Sequence, residues 1–229
     1  LRAARRDFIE GGLDAAALRT IEDESIHDAV ALQERVGLQA ITDGEFRRQS
    51  FRDGFFNSTD GYSEERCETD FEFHYADGST RRASPVPKAV AKLKRRTGMA
   101  TEDFAALREM TGRTPKVTLP SPSTNHFFIG DTSFRDAPYE SARGYMADVS
   151  ALYREELAAL ADLGCHYVQI DEVPLPVLCD PNVREILRKR GEDPEAVRDL
   201  YCDAIDDAVR RGQLGTGDGL VLLTNGTRG

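Results

Sequence analysis

The 229 residues carry 40 Asp and Glu against 30 Lys and Arg, a net charge of -10, and 40% of them are hydrophobic. That is enough chain for one globular domain with a sizeable core and too little for two. With no cationic excess to release counterions, nucleic acid is excluded as the main partner, and no apolar run reaches the ~18 residues of a membrane span.

The start, Leu1-Arg2-Ala3-Ala4-Arg5-Arg6, has charges with no apolar stretch behind them, so a cytoplasmic protein with no membrane partner is expected. A helix is predicted from Asp14 to Val36, where Leu18, Ile21, Ala29, Leu32 and Val36 share a face and Gly37 supplies the stop. A strand, Leu38 to Thr42, follows at once. Residues Asn57 to Thr114 are polar and charged, with a hairpin predicted at Phe71 to Gly78 and a basic helical stretch, Lys88 to Arg96, after it. This segment is expected to be an insertion or lid. Its basic run serves either as a solvated helix face or as a lure for an anionic ligand tail.

A strand at Lys116 to Leu119 runs into Pro120-Ser121-Pro122-Ser123. A helix from about Tyr145 to Leu163, Gly164 and a strand Cys165 to Ile170 then repeat the helix-turn-strand order. A third helix, about Pro194 to Arg211, leads through the Gly-rich loop Gly212 to Gly219 into a strand Leu220 to Thr224. The loop lacks a phosphate-binding pattern. Strands alternating with amphipathic helices predict a parallel α/β fold, a β/α barrel or a doubly wound sheet, with ligands at the strand C-ends. Cys67, Cys165, Cys179 and Cys202 have no metal-binding spacing and are expected to be reduced thiols.

Polar clusters fall at those strand ends. In Thr42-Asp43-Gly44-Glu45-Phe46-Arg47-Arg48, two carboxylates and two guanidinium groups surround a glycine. They suit a zwitterionic ligand, with Asp43 or Glu45 for its amine and Arg47 for its carboxylate; pairing of those acids with Arg47 or Arg48 is the structural alternative. In Gln169-Ile170-Asp171-Glu172, adjacent acids on a strand point to opposite sides, so one can face a pocket while the scaffold holds the other. Asp171 is thus an amine anchor, a general base or a salt-bridge partner. Ser121, Ser123 and His126 form a hydroxyl-rich loop in which His126 is either a proton shuttle or an ordinary loop residue. His27 and His166 read as packing residues, and His74 lies in the insertion.

The motifs DGEFRR (Asp43 to Arg48) and QIDE (Gln169 to Glu172), with Leu32-Gln33 and Gly37 ahead and Cys179-Asp180-Pro181-Asn182 behind, resemble the cobalamin-independent methionine synthase family, above all its single-barrel members. The resemblance implies a TIM-type (β/α)8 barrel, seen here incomplete. One strand would precede Leu1 and about three would follow Gly229, with 57–114 an insertion within a single domain. It further implies that Glu45 and Asp171 hold the amine of an amino-acid substrate and that Ser121, Ser123 and Glu172 line its pocket. In the family a methyl group passes from 5-methyltetrahydrofolate to a zinc-bound thiolate, so a folate cofactor is possible by resemblance only. The zinc motif His-x-Cys-Arg-Gly becomes Asn225-Gly226-Thr227-Arg228-Gly229 here, which argues against zinc because a carboxamide and a hydroxyl are poor replacements for imidazole and thiolate.

These features predict a zinc-independent enzyme acting on a small amino-acid-like substrate, by metal-free transfer or by lyase or isomerase chemistry. Glu45, Asp171 and His126 would be catalytic, while Asn225, Thr227 and Arg228 would contact the reacting end. The alternatives are a zinc-dependent thiol methyltransferase and a non-catalytic ligand-binding paralogue. A homodimer is compatible with an acidic barrel of this kind.

Overall fold

The computed structural model describes residues 1–75, 77–209 and 220–225, with side chains described for all of these except 73, 74 and 220–225. Helix α1 (Arg2–Ile9) precedes α2 (Ala15–Arg35), whose first turn is capped by Asp14, its carboxylate accepting from the Ala17 amide at 2.8 Å. Gly37, at φ +87°, ends α2 as expected and feeds β1 (Ala40–Ile41). That strand is shorter than the predicted Leu38 to Thr42, because the backbone of Thr42 is taken by the Gln33 side chain.

After α3 (Asp53–Ser58) the chain runs antiparallel through β2 (Thr59–Cys67), β3 (Glu72–His74), β4 (Thr80–Arg82) and β5 (Val86–Arg95). β2 pairs with β5 and β3 with β4, so the expected hairpin exists and reaches further than Gly78. The expected basic helix at Lys88 to Arg96 is instead a strand. Its buried residues Val86, Ala89 and Leu93 recur at helix-like spacings because two register shifts in the β2–β5 ladder break the alternation of a regular strand. One shift lies at Gly61, whose φ is +103° and where a Cβ would approach the Lys92 carbonyl oxygen to 2.8 Å. The basic run is neutralised along its length: Lys88 pairs with Asp136, Lys92 with Asp148 and Arg95 with Glu156.

The parallel framework resumes with α4 (Thr101–Met110), β6 (Thr114–Pro115), β7 (Val117–Pro120), α5 (Thr124–Phe127), a 3-10 turn (Gly130–Ser133) and α6 (Ala142–Asp162). Then come β8 (Tyr167–Glu172), α7 (Pro174–Val177), α8 (Pro181–Lys189), α9 (Pro194–Ala208) and β9 (Leu220–Asn225). The predicted Gly-rich loop Gly212 to Gly219 lies outside the described residues.

β6 and β7 are two halves of one extended run that turns opposite edges to different neighbours. β6 pairs with β1, an arrangement extended by the Lys116 amide donating to the Ile41 carbonyl at 2.8 Å, while β7 pairs with β8 and β8 with β9. All these pairings are parallel, and the neighbours follow in chain order. A doubly wound sheet reverses its order at a switch point, whereas a β/α barrel adds each strand beside the last. The described residues form such an arc and contain no closed sheet.

Two apolar layers cover it. Ile41 is buried with Ile26 and Val30 of α2 and Leu107 of α4. The larger cluster joins Val117, Leu119 and Val168 to the inner face of α6, where Tyr145, Val149, Leu152, Tyr153, Leu157 and Leu160 recur at helical spacing. Phe71, Val86, Ala89 and Leu93 belong to that same cluster, so the antiparallel excursion shares the framework's core. Among the described residues no helix is long and apolar enough to cross a membrane.

Candidate functional site

The strand register sets Pro120 beside Asp171 and Glu172 beside Asn225, so the polar strand ends stand level along one edge of the sheet. The adjacent acids of β8 separate as strand geometry requires. Glu172 is 2% exposed, and Asp171 is only partly buried. Glu172 accepts hydrogen bonds from the Ser121 hydroxyl, from the Ser123 hydroxyl at 2.7 Å and from the Leu175 amide at 2.7 Å. Ser121 and Ser123 are themselves fully buried and 2.9 Å apart. The three residues expected to line a substrate pocket are therefore brought together, with their polar atoms spent on one another.

Asp171 stays beside the site. Gln169 donates from its amide nitrogen to the Asp171 carboxylate at 2.6 Å, and Lys116 donates to the Gln169 amide oxygen at 2.9 Å. This relay, from a lysine at the β6–β7 break to the acid at the end of β8, was not anticipated; alternation along β8, which puts residues 169 and 171 on one face, is the sequence signal for it.

Across the arc, the Asp-Gly-Glu turn is held from several directions. Gln33 of α2 donates to the Thr42 carbonyl at 2.8 Å and accepts from the Thr42 amide at 3.0 Å. Arg5 of α1 bonds the carbonyl oxygens of Phe46 and Arg48 and pairs with Glu22. The Asp43 carboxylate, 7% exposed, caps the turn by accepting from the Glu45 amide at 2.9 Å, while its Oδ2 is buried with no partner. Glu45 has φ +56°, the left-handed region that a residue with a Cβ occupies at a cost.

Burial, with Asp171 and Asp43 adding to it, raises the pKa of the Glu45 carboxyl, and Arg48 and Lys116 oppose that shift. Asp171 is among the like charges acting on Glu45, and Gln169, which holds Asp171, lies in register with Thr118 of β7. Arg48 sits 3.6 Å from Glu45 and also donates to the Thr118 carbonyl at 2.8 Å. Arg47 turns away: it is 7% exposed and pairs with Asp23 at 2.5 Å and Asp103 at 3.3 Å. Its expected use as a clamp for a substrate carboxylate gives way to a tie between α2 and α4.

His126 stands apart. It is 1% exposed, with Nδ1 2.9 Å from the Tyr201 hydroxyl and Nε2 3.2 Å from Asp131. None of its described hydrogen bonds reaches Glu45 or Asp171. Asn225 is described as backbone only, and Thr227 and Arg228 lie outside the described residues.

Residues 1–199 match the family described as cobalamin-independent synthase, catalytic domain. YxjH, an uncharacterized protein of Bacillus subtilis, is 31% identical over 210 residues, which are 91% of this chain and 54% of that protein. The 5-methyltetrahydropteroyltriglutamate–homocysteine methyltransferase of Cronobacter sakazakii is 30% identical over 198 residues, 86% of this chain and 24% of the enzyme. A crystal structure from Listeria monocytogenes, assigned as a vitamin-B12-independent methionine synthase, superposes with a TM-score of 0.73 at 27% identity, covering 97% of this chain and 59% of that one. The chain thus spans about half the length of the Bacillus relative.

Proposed function

The chain belongs to the cobalamin-independent synthase catalytic-domain family, and from that premise we propose that it is the substrate-anchoring part of a transferase acting on a small amino-acid-like molecule. Glu45 and Asp171 bind the substrate ammonium between them, and the arc of parallel strands belongs to a TIM-type barrel. The reading is supported by the link between the two carboxylates, one from the turn after β1 and one from the end of β8: Arg48 pairs with Glu45 and donates to the Thr118 carbonyl, and Thr118 lies in register with the Gln169 that holds Asp171. Two anions held near each other are electrostatically costly when empty and are relieved by a cation between them. An amine-bearing substrate such as the homocysteine in the name of the Cronobacter relative provides that cation.

The family's zinc does not fit the residues at its motif. Asn225 and Thr227 offer a carboxamide and a hydroxyl where imidazole and thiolate stand in the family pattern, and neither replaces those donors for zinc. Glu45 and Asp171 orient the ammonium and, with it, the rest of the substrate.

Calorimetric titration with L-homocysteine and L-methionine tests the reading. Binding is expected in the parent, at least tenfold weaker binding in Glu45→Gln and Asp171→Asn, and none for the N-acetyl amino acids. Equal affinity for free and N-acetylated ligands would overturn the ammonium assignment.

A further inference from the structure

Away from that turn, the loop after β7 gathers a histidine and two carboxylates from separate parts of the chain. His126 Nε2, an Asp131 carboxylate oxygen and a Glu192 carboxylate oxygen all lie within 4.8 Å of one another. We propose that these three side chains form a binding site for a divalent transition-metal ion, distinct from the family's zinc position.

The donor set suits such an ion. One imidazole nitrogen and two carboxylates provide borderline and hard ligands with a combined charge of -2, which balances a divalent cation; zinc, manganese and cobalt all accept this mixture. Three protein ligands leave a coordination position for water or a small ligand. The Nε2 to Asp131 separation of 3.2 Å is also the spacing of two ligands about 2 Å from a tetrahedral metal.

His126 is prepared for the task. Tyr201, fully buried on α9, meets Nδ1 at 2.9 Å, and its hydroxyl oxygen can accept the Nδ1 proton, leaving the Nε2 lone pair for a metal ion. The two carboxylates lie within 4.8 Å of each other, with Arg135 acting on Asp131. The Asp131 amide donates to Glu192 at 3.3 Å, and Gly130, at φ +54°, lies close against the Glu192 carboxylate, which would have to shift if a Cβ were added there.

A recess of about 200 Å3 lined by Asp131, Thr132 and Glu192 provides an entry path. Of the cations on its wall, Arg190 is committed to Asp70 and to the Phe127 and Phe128 carbonyls. Arg135 remains, and its positive charge, which acts on Asp131, weakens the binding expected of a cation there.

The chelator-treated 229-residue chain is titrated with Mn2+, followed by the loss of its free EPR signal, and with Co2+, followed by visible absorption. Mn2+ avoids the cysteine thiols, which would otherwise compete for a softer ion. One ion per chain is expected, with affinity lowered at least tenfold in Asp131→Asn and Glu192→Gln. Both variants should retain the parent's circular dichroism and metal-free melting curve, since Asp131 is half-exposed and Glu192 partly so. Glu45→Gln should bind the metal as the parent does, which separates this site from the amine site. No Mn2+ uptake at 100-fold excess, or equal uptake by the parent and both carboxylate variants, overturns the proposal.

Discussion

Gln33 and Thr42 exchange two hydrogen bonds, amide nitrogen to carbonyl at 2.8 Å and amide oxygen to N–H at 3.0 Å, so that a helix side chain acts as a strand partner for one residue. This pairing fixes where β1 stops and where the Asp-Gly-Glu turn starts. Replacing Gln33 by Ala orphans both backbone groups of Thr42, a loss of about 1–3 kcal/mol. Gln33→Glu cannot donate and should fare no better. Urea titration gives the stability, and in both variants ligand affinity should fall along with it.

Glu45 holds a backbone conformation that glycine adopts freely. Glu45→Gly should raise stability by about 1 kcal/mol, the lower end of the cost of a left-handed non-glycine residue. The same change removes a carboxylate from the amine site. A more stable protein that no longer binds amino acids is the expected result, and a destabilised one would show that the Glu45 side chain contributes more than its backbone costs.

The pH response follows from the same residue. Burial raises the Glu45 pKa, so its charged form is favoured less in the folded state than in the unfolded chain. Its contribution to stability is therefore fullest below the unfolded pKa and is lost as pH rises through the folded one. Ligand binding runs the other way, since an ammonium needs the carboxylate. Affinity should fall as pH drops through the raised pKa, and this decline should be absent from Glu45→Gln while that variant's stability changes less between acidic and neutral pH.

Glu156 is fully buried on α6, pairing with Arg95 at 2.9 Å and accepting from the Ala100 amide at 2.7 Å. Glu156→Ala leaves that amide buried without a partner and frees a guanidinium that is itself 30% exposed. A loss of about 2–4 kcal/mol is expected, read by chemical denaturation. Ligand affinity per folded molecule should not change.

Neighbouring acids should give opposite phenotypes. Asp171→Asn is expected to weaken ligand binding with little loss of stability. Glu172→Ala strips two buried serine hydroxyls and the Leu175 amide of their acceptor, so thermal melting should fall by several degrees. If Glu172→Ala melts as the parent does, the serine-glutamate cluster is not a structural unit.

The sequence made the parallel arc legible because its signals are local. Asp14 and Gly37 bound α2, and Gly164, at φ +82°, separates α6 from β8 as the residue pattern indicates. The opposed fates of Asp171 and Glu172 follow from strand alternation alone. Missed features depend on partners far along the chain. The bulged β5 imitates a helix because its irregularity arises from its pairing with β2. Arg47 looked available for substrate until Asp23 and Asp103, 24 and 56 residues away, claimed it. His126 was separable from the amine site only once Tyr201, 75 residues on, had turned its ring.

The excursion from β2 to β5 was expected to cover the site as a lid. Tyr62 and Tyr145 share a hydrogen bond at 2.8 Å, Ala89 and Leu93 are buried in the same core as Tyr145 and Tyr153, and Arg95 is tied to Glu156. Swinging it open would unpack the inner face of α6. It is packed as a buttress against the framework, and deleting it would uncover the apolar inner face of α6.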